Sequence, residues 1–508
     1  MVIEDKSTRY LISSVVMISS VMQILDTTIV TVALPHMQGE LGANTEQIGW
    51  VLTSYLISSG IFMPLTGFFT DRLGRKRFMV WSITGFTLAS MLCGLATNVD
   101  QIVAFRLLQG VAGAGMMPTA QAVMITIYPE EERGHAMAIF GLGAMVGPII
   151  GPTLGGYVTQ ILDWRWCFFI NLPVGILALI GAIMFLPETE KVRRRIDWFG
   201  FAFLVAAIAS MQFVLDRGRQ DDWFASPLIQ IMTLISVFAF VCLILRNLEM
   251  GKHAIFRLDV FRDRNFTLST LIFATVMFGM YGAMALRPQL LERFLDYPTL
   301  TTGLVMMPRG VGTMISMQIA GYMVNRSGAK PLVLVGLVLV FIGSWAFTWY
   351  SPQIDPWWVI WPGLVQGFGM GLVFVPLSTI TFATLPVTLS AEAAGIRQLG
   401  RTIGASIGIS LSTSVFASQS QVAWNQLGGH VTAFSGAVQH YLGSFNLMPD
   451  SAGAGQLLAI ELGKQSVFIG MLDAFFMMSL MMVFTLPLLM LLKKGVGRQP
   501  ESDAVAEI

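Results

Sequence analysis

The chain has 508 residues, of which 54% are hydrophobic and only 12% are charged, and its mean hydropathy is +0.68. Soluble proteins average about 25% charged residues, so this composition excludes an ordinary soluble enzyme. The formal net charge of +1 leaves no basic surface for a nucleic-acid partner. The lipid bilayer is therefore the partner that the composition indicates.

Apolar segments long enough to cross a bilayer, about 20 residues each, recur from end to end. A membrane β-barrel would alternate apolar and polar residues over about ten positions, and these segments do not. The sequence thus predicts an all-α polytopic membrane protein with fourteen spans. They lie near 10–34, 46–70, 77–96, 101–125, 135–158, 166–187, 196–216, 226–246, 265–287, 300–324, 331–350, 357–384, 391–416 and 466–492.

Basic residues cluster in the loops on one side of this arrangement, as in RLGRKR (72–77), KVRRR (191–195) and the C-terminal Lys493, Lys494 and Arg498. Loops rich in Lys and Arg stay in the cytoplasm. An even number of spans then places both termini inside. The N-terminal segment shows no signal-peptide cleavage site, so we expect the first span to be retained.

Two parts of the chain repeat. LLQGVAGAGMMP (107–118) matches LVQGFGMGLVFVP (364–376), with Gln109 and Gln366 separated by 257 residues. Duplicated halves are typical of transporters. We predict an N-terminal six-helix half at 1–190, two inserted transmembrane helices at 191–250, and a C-terminal six-helix half at 251–508.

The C-terminal half is expected to contain a long periplasmic loop at 417–465, rich in Gly, Ser and Gln. A short amphipathic helix is predicted within VTAFSGAVQHYL (431–442). The loop is either a plain surface loop or a docking surface for a partner protein.

The motif GFFTDRLGRKR (67–77) follows the second span. Gly67 permits close packing and Gly74 a tight turn, while Asp71 can cap a helix or pair with an arginine. Arg72 and Arg75 hold the loop in the cytoplasm. The motif is either a topology signal only or a charge latch at a cytoplasmic gate.

The fifth span has a glycine at every fourth position, which gives one smooth helix face; these are Gly143, Gly147, Gly151 and Gly155. Pro148 and Pro152 remove backbone hydrogen bonds and permit a bend. This face serves either static helix packing or a pivoting interface between the two halves.

A single carboxylate, Asp26, interrupts the first span in VMQILDTTIVTVALP (21–35). At about 1.5 Å per helical residue it lies roughly 13 Å from Pro35, within the membrane. Intramembrane carboxylates mark ion or proton pathways, although a structural pair with a polar neighbour is the alternative. Arg106, in the fourth span, is the candidate counter-charge.

Several side chains are candidates to line a substrate cavity: Gln23, Thr27, Tyr55, Gln109, Met117 and Arg401. Arg287 is expected to extend toward the outer membrane interface. The histidines and cysteines show no metal-ligand spacing, and no nucleotide or cofactor motif is present, so we expect neither metal nor cofactor.

The loop at 67–77 and its degenerate copy at 321–330 resemble the signature of the major facilitator superfamily. RLLQG (106–110) resembles its helix 4 motif, and GPIIGPTLGG (147–156) the motif of its antiporters. Asp26 within LDTTIV, together with DWRWCFFINLPVG (163–175), is similar to the fourteen-span drug:proton antiporter family, the EmrB/QacA type.

The resemblance implies a major facilitator fold: two six-helix pseudo-repeats plus two extra transmembrane helices. It implies a proton-driven, non-enzymatic exporter of drugs or other amphiphilic toxic compounds in the bacterial inner membrane. Asp26 would couple the proton and Arg106 would help relay it. The loop near 417–465 resembles that of exporters that work with a periplasmic adaptor and an outer-membrane channel.

Two other functions remain open. One is a dedicated exporter of a single metabolite, siderophore or lipid. Competition experiments with unrelated drugs would distinguish it from a multidrug exporter. The other is a receptor-like membrane scaffold on a transporter fold, against which the intact Asp26, Arg106 and antiporter glycines argue.

Overall fold

A computed structural model describes residues 3–43, 45–129, 132–191, 197–218, 221–251, 258–295, 297–351, 354–386, 389–432, 435–445, 447–448 and 451–492. All regular secondary structure in these ranges is helical. The first part of the chain contains α1 (Lys6–Glu40), α2 (Thr45–Phe62), α3 (Thr66–Leu73), α4 (Arg75–Gly94), α5 (Val99–Gly113), α6 (Met116–Ile127), α7 (Arg133–Ile161), α8 (Trp166–Phe169) and α9 (Asn171–Phe185).

The rest of the chain begins with α10 (Trp198–Arg217) and α11 (Pro227–Met250). It continues with α12 (Arg264–Arg293), α13 (Thr299–Ser327), α14 (Ala329–Ala346), α15 (Trp357–Ala383), α16 (Ser390–Gly428), α17 (Gly436–Gly443), α18 (Ala452–Val483) and α19 (Thr485–Leu491). We call the end of the bundle that carries Arg75, Lys76 and Arg77 the basic end.

Ten helical segments within the described ranges are long and apolar enough to cross a membrane. The other four predicted spans are also helices, α4, α7, α13 and α16, but they fall outside this set. Small residues in these helices, such as the glycines of α7, lower the hydropathy and serve helix contacts. The chain is thus a multi-pass membrane protein, and the count of fourteen stays a prediction.

The repeat seen in the sequence is also visible in the backbone. Gly74 and Gly328 have φ values of +84° and +78°, a region that side-chain-bearing residues rarely adopt, and each directly precedes a helix, α4 or α14. Each therefore makes the same sharp turn between consecutive membrane helices.

The helices pack in two groups. In the first, α1 lies against α7 and α9, and α5 lies against α2 and α4. In the second, α15 lies between α13 and α14, while α16 contacts α12 and α18. The groups meet where α7 packs on α13 and where α16 packs on α3 and α6.

The inserted pair α10 and α11 lies against both groups, because α10 contacts α2 and α16. Ser406 donates to Gln212 Oε1 at 2.6 Å, and Ser410 donates to the carbonyl oxygen of Leu215 at 2.6 Å. These bonds fix the inserted pair over the seam beside α16.

The segment predicted as a loop at 417–465 is mostly helical. α16 continues to Gly428, and α18 already begins at Ala452. The short helix predicted within 431–442 is α17, at Gly436–Gly443. A prediction from hydropathy ends a membrane span where polar residues begin. The helices α16 and α18 continue beyond that point because they pack against each other.

Candidate functional site

The carboxylate of Asp26 is held by three side chains from three other positions in the first helix group. Arg106 Nη1 lies 2.5 Å from Oδ2, while Gln109 Nε2 and Asn171 Nδ2 donate to Oδ1 at 2.9 and 2.8 Å. All four side chains are buried, with at most 1% of any of them exposed. Asp26 therefore sits at the meeting point of α1, α5 and α9.

Arg106 is fixed as firmly as the carboxylate. Its Nε donates to the carbonyl oxygen of Val51 at 3.0 Å, and its Nη1 also reaches Gln109 Oε1 at 2.7 Å. The guanidinium carbon lies 4.4 Å from the ring centre of Tyr55 and 5.7 Å from that of Phe168. Such cation–π contacts favour a desolvated cation at this place.

Both oxygens of Asp26 act as hydrogen-bond acceptors. Within the described ranges, each group that bonds to them is an N–H donor, which suits a carboxylate that only accepts hydrogen bonds. Neither partner of the pair has any exposed surface.

The antiporter glycines position the helix that carries Asp26. A Cβ on Gly147 would lie 2.6 Å from Ile24 Cγ2 and 2.9 Å from Leu25 N, and one on Gly151 would lie 2.1 Å from Thr28 Oγ1. Thr28 also donates to the carbonyl oxygen of Gly147 at 3.1 Å. The glycine face of α7 thus packs on α1, and the prediction of a pivoting interface between halves on this face was wrong.

A different face of α7 contacts the second helix group. A Cβ on Gly321 of α13 would lie 2.7 Å from Ala138 Cβ, and Gly141 faces Met317. The glycine spacing in α7 draws attention to the other face of this helix, so sequence reasoning did not predict this contact with the second helix group. The helix α7 is continuous through Pro148 and Pro152, whose side chains lie outside the described part of the chain.

The 67–77 motif lies between the two helix groups at the basic end. Arg75 Nη1 donates to Thr126 Oγ1 at 2.8 Å and Nη2 to Ser390 Oγ at 3.3 Å, which joins α4 to α6 and to α16. Gly67 lies so close to Glu392 that a Cβ would come within 2.2 Å of its Cγ. Arg72, in contrast, is exposed.

Asp71 lies inside α3, before the turn at Gly74 that leads into α4. The negative charge of Asp71 acts on the nearby Arg75 guanidinium. This supports interaction with an arginine, one of the two roles that the sequence left open for Asp71, and helix capping stays a prediction.

The candidate cavity residues separate into two sets. Gln109 belongs to the Asp26 cluster, and the Thr27 hydroxyl bonds to backbone oxygens of its own helix. Gln23 and Tyr55 are buried beside each other, and Arg401 is half-buried with no partner for its Nε within the described ranges. Met117 is buried in the same hydrophobic cluster as Tyr55.

The expectation that Arg287 extends toward the membrane interface was wrong. Its side chain is 2% exposed, Nη2 donates to Gln366 Oε1 at 2.7 Å, and the guanidinium stacks 4.2 Å from the ring centre of Phe347. Its position near the end of α12 suggested exposure, but the neighbouring helices cover it.

Sequence reasoning missed Asn171 and Ser90 as parts of the site. Asn171 Nδ2 bridges Asp26 and Ser90 Oγ, the latter at 2.9 Å. Asn171 stands in the motif DWRWCFFINLPVG, where one polar side chain at the start of an apolar helix was the available signal. No group of three or more His, Cys, Asp or Glu side chains within the described ranges is placed to hold a metal.

A helical membrane bundle with an internal repeat and a buried Asp–Arg pair defines a polytopic transporter. The family model of the Major Facilitator Superfamily matches residues 16–409, and the chain belongs to that superfamily. It is a transporter and not an enzyme.

Two curated relatives cover most of the chain. It is 34% identical over 421 residues to "Multidrug export protein EmrB" of Escherichia coli (strain K12), which covers 82% of each chain. It is 32% identical to "Fatty acid resistance protein FarB" of Neisseria gonorrhoeae, over 93% of this chain and 94% of the relative. Among solved structures, the human organic anion transporter MFSD10 superposes with a TM-score of 0.63 at 15% identity. That match covers 93% of this chain and 99% of the other, and it shows the fold alone.

Proposed function

We propose that this protein is a proton-driven antiporter that exports drugs or other amphiphilic toxic compounds across the bacterial inner membrane by alternating access. The observation that carries this proposal is the fully buried Asp26–Arg106 pair. An intramembrane carboxylate is expensive to keep and marks a proton pathway by default. The proton gradient supplies the energy, and no cofactor is required.

Asp26 binds a proton while the transporter is open toward the periplasm, and Arg106 helps to relay it. When the transporter opens toward the cytoplasm, the substrate and the proton exclude each other. Arg106, Gln109 and Asn171 then stabilise the ionised carboxylate. Release of the proton and binding of the substrate are thus coupled by competition.

The contacts of Arg75 with Thr126 and Ser390 support a latch at the basic end. Since basic loops remain in the cytoplasm, we assign this end, and with it both termini, to the cytoplasmic side. In this proposal the latch holds the two helix groups together at the basic end.

The divisions at 1–190, 191–250 and 251–508 fit this cycle, because two halves that rock against each other expose a site between them alternately. Gln23, Tyr55, Met117 and Arg401 are our candidates for the substrate cavity. The relatives' names, a multidrug export protein and a fatty acid resistance protein, support an amphiphilic substrate.

The helical extension formed by the ends of α16 and α18, with α17 between them, is our candidate docking surface. Its partner would be a periplasmic adaptor protein that leads to an outer-membrane channel. Exposed apolar side chains on this extension, Trp424, Phe445 and Ile460 among them, support that role.

The test is discharge of an imposed proton gradient in inverted membrane vesicles by a panel of amphiphilic drugs, with tetraphenylphosphonium as the lipophilic cation. Wild-type protein is expected to discharge the gradient on drug addition, and Asp26→Asn is not. Equal discharge by the variant would refute the role of Asp26. No discharge by any drug with wild-type protein would refute antiport.

A further inference from the structure

The two equivalent glutamines share one contact and differ in another: each amide oxygen accepts from an arginine at 2.7 Å, Arg106 or Arg287, but the amide N–H groups have different partners. Gln109 and Gln366 occupy matching positions of the repeat. In the first half the amide N–H of Gln109 donates to an anion, Asp26. In the second half the amide oxygen of Gln366 accepts from a cation, Arg287, while its N–H donates to Ser344 at 2.8 Å.

The charge balance of the halves also differs. In the first half the buried Arg106 is neutralised by Asp26. In the second half the buried Arg287 of α12 bonds to Gln366, the counterpart of Gln109. The positive charge of Arg309, on the neighbouring α13, repels the guanidinium of Arg287.

Neither Arg287 nor Arg309 has a carboxylate partner among the residues that the structure describes. Their titratable neighbours are Tyr350 and Tyr281. Arginine does not lose its proton in proteins. Two fixed positive charges thus lie at membrane depth. Within the described ranges, the buried Arg287 Nε has no hydrogen-bond partner, so it can donate to an anionic ligand.

A small cavity adjoins these groups. It measures about 10 Å³, which is room for about one water-sized group, such as a single anionic oxygen. Arg309 and Gln366 supply its polar lining, and the other side chains are apolar: Val276, Met280, Val340, Met370 and Met482. Methionines adapt readily to hydrocarbon of different shapes.

We propose that Arg309 and Arg287, the latter oriented by Gln366, bind the carboxylate of an amphiphilic substrate in the C-terminal half. The occupant is an organic monoanion with a hydrocarbon tail, and this rests on the proposed export function. The proton at Asp26 and the substrate anion at Arg309 then occupy different sites, and each excludes the other through the conformation of the transporter, not by direct contact.

The test is equilibrium binding to the purified full-length protein in chloride-free detergent solution, without a proton gradient. Decanoate and decanol are compared, since they share a chain length and differ in charge. We expect at least about tenfold tighter binding of decanoate, because a hydrogen-bonded ion pair contributes a free energy of that order. Arg309→Gln is expected to remove this preference without weakening decanol binding, and Arg309→Lys to restore part of it.

The matched control is Arg326→Gln, which removes an exposed arginine from the same helix α13 and should keep the preference. Unchanged preference in Arg309→Gln would overturn the proposal. Competition by chloride alone, at equal affinity, would make the occupant an inorganic ion and overturn the assignment to substrate. Asp26→Asn should retain the preference while it loses proton discharge, so failure of proton coupling and failure of anion binding are separately visible.

Discussion

Arg106 Nη1 lies 2.5 Å from Asp26 Oδ2, and neither side chain has any exposed surface. A buried ion pair adds little stability over well-packed apolar residues, because both charges lose their hydration. Removing one partner is more harmful, since it leaves the other charge uncompensated, at about 3–5 kcal/mol. Stability alone therefore does not explain why the chain keeps this pair at membrane depth.

Asn171→Ala removes one of the three donors to Asp26. A hydrogen bond to a charged group contributes about 1.5–3 kcal/mol, and each 1.4 kcal/mol is a factor of ten in an equilibrium. The carboxylate is then held less firmly in its cluster. We expect the rate of drug-driven proton exchange at fixed pH to fall by about tenfold or more.

The control for Asn171→Ala is Ser90→Ala, which removes a bond to Asn171 and none to Asp26. It should lower the exchange rate by less than half as much on a logarithmic scale. Equal losses of rate in the two variants would mean that Asn171 acts through packing alone.

Gly147→Ala is expected to lower the melting temperature of the purified protein. The new Cβ would lie 2.9 Å from the backbone nitrogen of Leu25, and overpacking of this kind costs about 1–3 kcal/mol. Gly156→Ala in the same helix meets nothing within 4 Å and should leave the melting temperature unchanged or slightly raised. The same loss in both variants would contradict tight packing of α7 on α1.

Arg75→Gln is expected to slow transport more than Arg72→Gln, although both arginines lie in one motif. Arg75 reaches Ser390 in the other helix group, whereas Arg72 is exposed. Loss of charge-assisted bonds worth about 1.5–3 kcal/mol predicts about a tenfold or larger fall in rate for Arg75. Drug uptake into inverted vesicles, at matched protein levels, measures both. Equal loss of transport rate in the two variants would mean that the motif is only a topology signal.

The sequence alone predicts a helical membrane protein with an internal repeat, and it predicts that Arg106 is the counter-charge of Asp26. These follow from hydropathy and from the high cost of charge in lipid, both of which are local. Gly74 and Gly328 likewise occupy their turns as the repeat predicts.

Contacts between distant segments were harder to predict. The glycine spacing in α7 indicates a close contact but not the contacted helix, which is α1 and not the other half. Asn171 lies 145 positions from Asp26, so no local pattern links them. The burial of Arg287 depends on which helices pack around it, and this packing cannot be predicted from composition.

The most direct test of the central claim is an infrared difference spectrum of the purified protein, which records the protonation of Asp26 itself. On acidification we expect a band of a protonated carboxyl group that is absent from Asp26→Asn, and addition of a transported drug should remove this band from the wild-type spectrum. If the same band forms in Asp26→Asn and responds to the drug, another group carries the proton, and Asp26 is not the coupling carboxylate.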